Sequence, residues 1–407
     1  MLPRNGLLDR RAFLTAGAGV LSSAVLPSAL AKQTWESGPG RAPSEYGEPS
    51  KFSKLKRLRV SGHPFAPEAG ASSSPLESMN GTLTPNSLHF ERHHSGVPDI
   101  DPSLHKLTIS GNVRRSLSFG YEDLLRYPLV SRVLFLECSG NSYANTMAKA
   151  IDQTAGEING LLSCAEWTGI PLRLLLEEAG FDRSSDWVVA EGADAAGMNR
   201  SVPLSLVLDE AMIALYQNGE PLRSEQGYPM RLLVPGCEGN LSIKWLRSLQ
   251  VRNGPAHTRE ETSKYTDLLK DGSAIQFSLR MGVKSIITSP SGRMTLPENG
   301  VYEVSGLAWS GHGKIKSVEV SADAGVTWTE AQIQSDNEYL KPVRFRVPWR
   351  WLGQSAVLQS RARDSSGNIQ PTRDVALAHS APGFSYHYNG LQSWGIDQTG
   401  RVSNVYV

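Results

Sequence analysis

The sequence of 407 residues contains few cysteines and has no excess of charge of one sign. The three cysteines, Cys138, Cys164 and Cys237, are sparse and odd in number, so they do not form the framework of a disulfide scaffold. No C-x-x-C pair occurs, which excludes a zinc ribbon, a thioredoxin-type redox pair and a c-type haem attachment site in this chain. The net charge of +1 argues against a nucleic-acid-binding protein, which usually carries a strong basic excess.

Long apolar runs are also missing, so we expect no membrane span. The stretch from Ala16 to Leu26 is modestly apolar and too short to cross a bilayer comfortably. It follows the twin arginines Arg10-Arg11 and precedes the small-x-small pattern Ala29-Leu30-Ala31. This order predicts that residues 1–31 are a twin-arginine signal peptide, and that the protein is exported folded to the periplasm. The alternative is a soluble N-terminal helix that contains two arginines. Because folded export often serves proteins with an inserted cofactor, a bound cofactor is a reasonable hypothesis.

The rest of the chain divides into three parts by composition and by hydrophobic pattern. Residues 32–85 are rich in Gly, Pro and Ser without sustained periodicity, and we expect an extended arm there. Residues 86–283 mix helix and strand patterns. From 284 to 407, short alternating runs separated by turn signals predict an antiparallel, immunoglobulin-like β-sandwich. The expected fold class is therefore α+β, with a mixed α/β domain followed by a sandwich.

Several elements of the mixed domain have clear boundaries. Lys106 to Gly111 alternates like a half-buried strand, and Arg132 to Leu136 is a short apolar strand that runs into Cys138. Pro171 to Gly180 has a proline at its start, leucines inside and a glycine at its end, which predicts a compact helix. Pro203 is expected to open a similar helix through Tyr216.

Cys138 is a candidate metal ligand because it follows a strand and precedes a glycine-containing turn. A thiolate is a soft donor that suits a transition metal. The alternative is an ordinary buried thiol. Three other segments carry Arg92, Arg231 and Lys244 beside imidazoles or glycines. Such groups bind phosphate or another anion, although each one alone is a weak signal.

Taken together and in order, these segments resemble the sulfite oxidase family of molybdenum enzymes over nearly the whole chain that follows the signal peptide. The resemblance rests on the family's F-x-R-N-H, C-x-G-N, W-x-G-V-P-L and N-G-x-x-L to V-K-W-L motifs and on its dimerisation domain. The matching stretches are Phe90–Pro98, Glu137–Asn141, Trp167–Leu172, Asn218–Leu246, Ala308–Gly311 and Val320–Trp328.

The resemblance implies a role for each matched residue. Cys138 would ligate a molybdenum held by one molybdopterin, Arg92 would lie beside the substrate, and Tyr265 occupies the position of the family's active-site tyrosine. The cofactor would be bound by Phe90, Arg92, His93, His94, Asp194, Gln226, Arg231, Ser242, Ile243 and Lys244.

The chain also departs from the family's pattern. His93 replaces an asparagine, Gln226 replaces a histidine, and Ser142-Tyr143 stands where animal sulfite oxidases have an arginine pair. Glu157 is at the expected position of a pocket tryptophan. A site for free sulfite needs cations to balance a small dianion, so these changes weaken the case for sulfite.

The export signal, the arm and His93-His94 resemble the family's sulfane dehydrogenase branch, which acts in bacterial thiosulfate (Sox) oxidation. This resemblance implies oxidation of a sulfane sulfur on a carrier protein by oxygen-atom transfer from water. The implied partners are that carrier, a separate c-type cytochrome subunit and a second copy of this chain within a hetero-oligomer. The alternatives are a sulfite dehydrogenase, a methionine sulfoxide reductase, which generally lacks the sandwich, and a non-enzymatic binding protein in which Cys138 is merely buried.

Three residues have no clear assignment. Arg401 is a nearby candidate for the family's C-terminal pocket arginine, on a loose alignment. Cys164 and Cys237 are expected to be buried thiols, and a disulfide between them is an open alternative.

Overall fold

The structure is a computed structural model that describes residues 5–7, 38–60, 62, 65–334, 336–382 and 386–407. The strands before the C-terminal part are β1 Leu58–Val60, β2 Gly70–Ser73, β3 Glu91–His93, β4 Lys106–Gly111, β5 Leu117–Gly120, β6 Val130–Glu137, β7 Leu162–Pro171, β8 Trp187–Gly192, β9 Asn199–Pro203, β10 Met212–Gln217, β11 Glu220–Pro221, β12 Arg231–Leu233, β13 Leu246–Arg252, β14 Asp267–Leu268 and β15 Ala274–Ile275. The later strands are β16 Lys284–Ser289, β17 Gly300–Trp309, β18 Ile315–Ser321, β19 Thr329–Glu330, β20 Gln332–Ile333, β21 Val343–Trp351, β22 Ala356–Asp364, β23 Ser393–Ile396 and β24 Val402–Val405.

The helices of the described residues are short. They are α1 Tyr121–Leu124, α2 Ala155–Asn159, α3 Leu172–Ala179, α4 Leu204–Glu210, α5 Arg259–Ser263 and α6 Arg373–Leu377, with 3₁₀ turns at Leu76–Ser78, Asn86–Leu88, Tyr143–Thr146, Ser224–Gln226 and Gly239–Leu241. No helix in the described residues is long and apolar enough to cross a membrane.

Three larger sheets and the two-stranded pair β14-β15 form the described first part of the fold. The strand orders of the three larger sheets are β1-β2-β3, β11-β10-β7-β6 with β12 on β10, and β5-β4-β13-β8-β9. The predicted strand at β4 is observed, with Leu107 and Ile109 fully buried. The predicted helix is α3, which starts after Pro171 and ends at Gly180 in the left-handed conformation that favours glycine. The predicted arm contributes β1, β2 and the 3₁₀ turn at Leu76–Ser78.

The predicted helix from Pro203 through Tyr216 is wrong in its second half. Helix α4 ends at Glu210, and Met212–Gln217 is the strand β10. β10 pairs with both β7 and β12, and its residues Met212 to Leu215 are all buried. A strand covered on both faces is a continuous apolar run, which periodicity alone does not separate from a buried helix.

The C-terminal part is an antiparallel β-sandwich. One sheet has the order β16-β17-β21-β20, and the other has β19-β18-β22-β23-β24. Trp309, Trp349 and Trp394 are fully buried in this half of the molecule. The predicted α+β fold class is confirmed. The predicted signal peptide lies mostly outside the described residues; of its described part, Leu7 is buried beside Trp349.

Candidate active site

A cavity lies where β3, the carboxyl end of β6 and the segment from Gln226 to Trp245 meet, and the space between its walls, including the part open to solvent, is about 650 Å³. All of the residues that the resemblance assigned to the metal, the cofactor or catalysis line it. They are Phe90, Arg92, His93, His94, Cys138, Asp194, Gln226, Arg231, Ser242, Ile243, Lys244 and Tyr265. The structure adds Leu136, Met198, Gly239, Asn240 and Trp245 to the lining.

Cys138 is the first residue after β6, and its loop is held by the backbone. The Cys138 amide donates to the carbonyl of Leu161 at 3.0 Å, and the Asn141 amide donates to the carbonyl of Cys138 at 2.9 Å. Burial raises the pKa of the Cys138 thiol, although the backbone hydrogen bond from Gly140 and the charge of Arg92 oppose this. A cation at the sulfur would favour the thiolate, which is the form that binds a metal.

Arg231 is a buried cation on another wall of the cavity. Its guanidinium donates to the carbonyl oxygens of Gln226 and Ser242 at 3.0 and 2.9 Å, while its Nε has no hydrogen-bond partner. Within the described part of the chain, no carboxylate forms an ion pair with it. Burial lowers the pKa of Arg231 to about 9 because the charged form loses its hydration.

Lys244 is the second cation at this wall, and it is half-buried. Its Nζ donates to the carbonyl oxygens of Arg92 and Glu225 at 3.2 and 3.1 Å and to Nδ1 of His93 at 2.8 Å. The opposite nitrogen of His93 lies 3.4 Å from the Glu91 carboxylate. His93 therefore connects Lys244 to an acidic residue, and burial lowers the pKa of Lys244 well below its usual value.

The two cations fit an anionic ligand such as the phosphate of a pterin cofactor. Burying a charge without an ionic partner costs free energy that a bound anion offsets. Gly227 lets Arg231 and Lys244 pack close to its backbone, because an added Cβ would lie 3.1 Å from the Cβ atoms of both residues. Its φ of +108° also favours glycine at this position. The donor set and the glycine together indicate a phosphate-binding wall.

The wall that carries Tyr265 has different chemistry. Nε2 of His94 lies 2.9 Å from the Tyr265 hydroxyl. Burial lowers the pKa of His94 to about 3 and raises that of Tyr265, so a neutral imidazole faces a protonated phenol at neutral pH. The Arg200 guanidinium lies over the Tyr265 ring, 5.1 Å from its centroid. Tyr265 can therefore serve as a hydrogen-bond donor inside the cavity.

A C-terminal segment that the sequence did not indicate packs against this wall, although its residues are not among those that line the cavity. The ring of Tyr386 lies 5.5 Å from that of Tyr265, and the His387 amide donates to the carbonyl of Ser139 at 2.9 Å. The His387 side chain lies 3.4 Å from the carboxylate of Glu238, which also pairs with Arg200 at 3.1 Å. No sequence motif marks these residues, because they converge from distant parts of the chain.

Arg57 is another missed contributor, from the segment predicted to be an arm. Its guanidinium pairs with Glu91 and lies 3.6 Å from the carboxylate of Glu225. Glu91 is the residue that faces His93, so Arg57 stabilises the carboxylate behind the Lys244 contact. A basic run in a Gly-rich and Pro-rich segment offered no signal for this pairing.

Two expectations about individual positions are wrong. Glu157 is not in the pocket but caps α2, accepting from the Thr154 amide at 2.9 Å and pairing with Arg293 at 2.9 Å. Arg401 is exposed and pairs with Asp152 at 3.3 Å, so it is not a pocket arginine. The Glu157 carboxylate and the Arg401 guanidinium each pair with a residue outside the cavity instead.

The other two cysteines are free, buried thiols and form no disulfide with each other. Burial raises the pKa of both Cys164 and Cys237 to about 12, so both stay protonated at neutral pH. Among the residues that the structure describes, no group of three or more His, Cys, Asp or Glu side chains is placed to hold a metal ion.

Comparisons with known proteins agree with this geometry. Residues 94–260 match the family model of an oxidoreductase molybdopterin binding domain, and residues 276–387 match that of a Mo-co oxidoreductase dimerisation domain. Sulfite oxidase from Gallus gallus is 31% identical over 322 residues and covers 71% of this chain and 68% of its own length. The chain belongs to the sulfite oxidase family. As a member of that family it is a molybdenum oxidoreductase with a molybdopterin cofactor, and the predicted resemblance is confirmed.

Other relatives within the sulfite oxidase family differ in coverage. Mitochondrial sulfite oxidase from Mus musculus is 30% identical over 316 residues, and this chain spans 58% of that protein's length. The crystal structure of the sulfane dehydrogenase SoxCD from Paracoccus pantotrophus has a TM-score of 0.89 and 40% identity. The match covers 92% of this chain and 97% of the matched chain in that structure.

Proposed function

We propose that this enzyme oxidises a sulfane sulfur bound to a carrier protein and passes the electrons to a c-type cytochrome subunit. The observation that carries the proposal is the similarity to the sulfane dehydrogenase structure, at 40% identity over nearly the full length of both chains. The match to the Gallus gallus sulfite oxidase is weaker, at 31% identity over 71% of this chain. Oxidation of free sulfite is the second candidate, supported by that match.

The charge near Cys138 favours the sulfane substrate over sulfite. Ser142 points into the protein, where its hydroxyl donates to the Asn159 side chain at 2.5 Å, and Tyr143 is exposed. Neither residue provides the positive charge of the arginine pair found in animal sulfite oxidases. Arg92 is the cation beside Cys138, and one cation suits a persulfide monoanion better than a sulfite dianion.

The residues of the cavity would have three roles: binding the cofactor, binding the metal, and orienting the substrate. Arg231 and Lys244 would hold the phosphate, Asp194 and Ser242 would complete the cofactor site, and Cys138 would bind the metal. The molybdenum–molybdopterin group supplies two-electron oxygen-atom transfer, with water as the source of oxygen. Arg92 would orient the anionic sulfur by charge. The Tyr265 phenol would donate a hydrogen bond to the oxygen that develops charge, which lowers the barrier electrostatically.

The proposal includes the compartment and the assembly. Arg10-Arg11 and the apolar stretch after them favour export to the periplasm by the twin-arginine route. Each oxygen atom taken from water releases two protons and two electrons, so an electron acceptor is needed. The chain contains no haem attachment motif of its own. A separate c-type cytochrome and a homodimer within a hetero-oligomer complete the proposed assembly, supported by the match to the dimerisation domain.

A direct comparison of substrates tests this proposal. The molybdenum-loaded enzyme is given a carrier protein with a cysteine-bound sulfane, the same carrier with its cysteine alkylated, or free sulfite, with cytochrome c as acceptor. We expect cytochrome reduction with the sulfane-loaded carrier and little with the other two. Equal or faster turnover with free sulfite would contradict the proposal and favour the sulfite dehydrogenase.

A further inference from the structure

Lys284 is a buried lysine at the first position of the sandwich, and it contacts the loop that carries Cys138. Only 2% of its side chain is exposed. Its ammonium lies 3.2 Å from the Glu137 carboxylate and donates to the Ser142 hydroxyl at 2.6 Å. These two partners flank the loop, since Glu137 precedes Cys138 and Ser142 follows it by four positions. One side chain from the sandwich thus holds the loop at both ends.

Lys284 is not the sole partner of the Glu137 carboxylate. The Oε1 atom of Glu137 also accepts from the Asn141 amide group at 2.9 Å, and its Oε2 accepts from the Trp309 indole at 2.6 Å. Trp309 lies at the end of β17, so a second sandwich residue contacts the same carboxylate. Both carboxylate oxygens therefore have donors, and the buried charge is balanced by one lysine.

The opposite side of the loop is held by α2. The Ser142 amide donates to the carbonyl of Ile158 at 3.1 Å, and its hydroxyl donates to the Asn159 side chain. Ser142 adopts φ +67°, a left-handed conformation that a residue other than glycine keeps only when its surroundings hold it. The loop from Cys138 to Ser142 is clamped between α2 and the sandwich.

We propose that Lys284 and Glu137 are positioning residues, through which the sandwich sets the orientation of the Cys138 sulfur toward the metal. This inference rests on the metal-ligand role proposed above for Cys138. It gives the sandwich a part in the active centre beyond dimerisation. Removing the ammonium would leave a buried carboxylate without its ionic partner next to the metal-binding sulfur, so the loop would move.

The test uses Lys284→Met, Glu137→Gln and the double variant, with Arg280→Met as a matched control. Arg280 also joins the two halves of the molecule, since it pairs with Glu210 at 2.8 Å and donates to the Gly311 carbonyl at 3.0 Å. Its contacts do not include the Cys138 loop. Two readouts are compared: the g-values of the Mo(V) electron paramagnetic resonance signal, which depend on the orientation of the thiolate, and hydrogen exchange in the peptide that spans residues 137–143.

We expect Lys284→Met to shift the Mo(V) g-values and to speed exchange in this peptide by about tenfold or more. Arg280→Met should leave both readouts unchanged. The double variant, which removes both charges, should lie closer to wild type than Lys284→Met does. A Mo(V) signal in Lys284→Met that superimposes on that of wild type would overturn the proposal, as would equal effects of Lys284→Met and Arg280→Met.

The exchange measurement is repeated on the full chain without cofactor, so that the two proposals fail separately. If the wild type contains no molybdenum, the role of Cys138 fails, and the proposal for Lys284 fails with it. If the wild type is loaded but exchange in the loop is the same in every variant, only the positioning role is wrong. Loss of molybdenum in Lys284→Met with normal loading of Arg280→Met supports the positioning role.

Discussion

Replacing Arg231 by methionine should leave the cofactor-free protein about as stable as wild type, although Arg231 is buried. Its Nε has no hydrogen-bond partner, and no described carboxylate pairs with it. The lowering of the Arg231 pKa from 12.5 to about 9 indicates that burial disfavours the charged form in the absence of an anion. It corresponds to about 5 kcal/mol, at about 1.4 kcal/mol for each tenfold change in acidity.

Methionine removes that penalty but also removes two donors. The carbonyl oxygens of Gln226 and Ser242 lose their hydrogen bonds, and each buried acceptor left unpaired costs about 1–3 kcal/mol. The free energy of unfolding of the variant should therefore lie between about 1 kcal/mol below and about 3 kcal/mol above that of wild type. Cofactor retention should fall sharply, because the anion loses a cation.

The assay is urea unfolding of the cofactor-free chains at neutral pH, followed by tryptophan fluorescence, with molybdenum content measured on loaded samples. Arg200→Met is the matched control. Arg200 is also fully buried but lies 3.1 Å from Glu238 and 3.7 Å from Glu261. Its replacement leaves two buried carboxylates without this cation and should lower the free energy of unfolding by about 3–5 kcal/mol. Equal destabilisation of the two variants would refute the reasoning, since it would mean that the protein itself balances the charge of Arg231.

Three further predictions concern single side chains. Burial lowers the pKa of His89 to about 3, so the unfolded chain binds one more proton between pH 6.5 and 3, and stability falls as the pH drops through that window. In urea unfolding at pH 6 and pH 4, His89→Gln should reduce the change of unfolding free energy with pH by about 1.4 kcal/mol per pH unit. The same pH dependence in wild type and variant would contradict the lowered pKa of His89. Tyr265→Phe should lower kcat by about 10²–10³-fold with normal molybdenum content, and full activity would exclude the phenol as a donor to reacting atoms. Tyr386→Arg should raise kcat/KM for free sulfite by about tenfold relative to Tyr386→Phe, because it adds a cation beside Tyr265, and equal values for the two variants would show that a cation at this position does not act on the substrate.

Much of the site could be predicted because its residues lie in short segments that match the family's motifs in order, although each segment alone is a weak signal. Cys138 follows an apolar strand and precedes Gly140, and Arg231 and Lys244 stand near glycines that expose backbone donors. Residues in such turns carry their chemistry in a few contiguous positions. The structure places all of them around one cavity.

The contacts that support the site could not be predicted, because they join residues far apart in sequence. Lys284 is 147 positions from Glu137, and Trp309 is 172 positions from it. A lysine at the start of a short strand looks like any exposed lysine until the partners of the strand are known. Glu157 shows the converse: a position matched by alignment was used locally, as a helix cap.

The boundary between α4 and β10 was missed for a different physical reason. Met212 to Leu215 is apolar at every position, and such a run suits a buried helix or a central strand equally. The hydrogen bonds to β7 and β12 decide the outcome, and they come from other parts of the chain. Local pattern specifies burial here, while topology specifies the secondary structure.

The number of sulfur neighbours around molybdenum tests the central claim most directly. X-ray absorption at the molybdenum edge is measured on loaded wild type, on Cys138→Ser and on Cys164→Ser, whose buried thiol is outside the cavity. We predict close to one molybdenum per chain in wild type, one sulfur neighbour fewer in Cys138→Ser and no change in Cys164→Ser. An unchanged sulfur count in Cys138→Ser, or a wild type without molybdenum, would contradict the account.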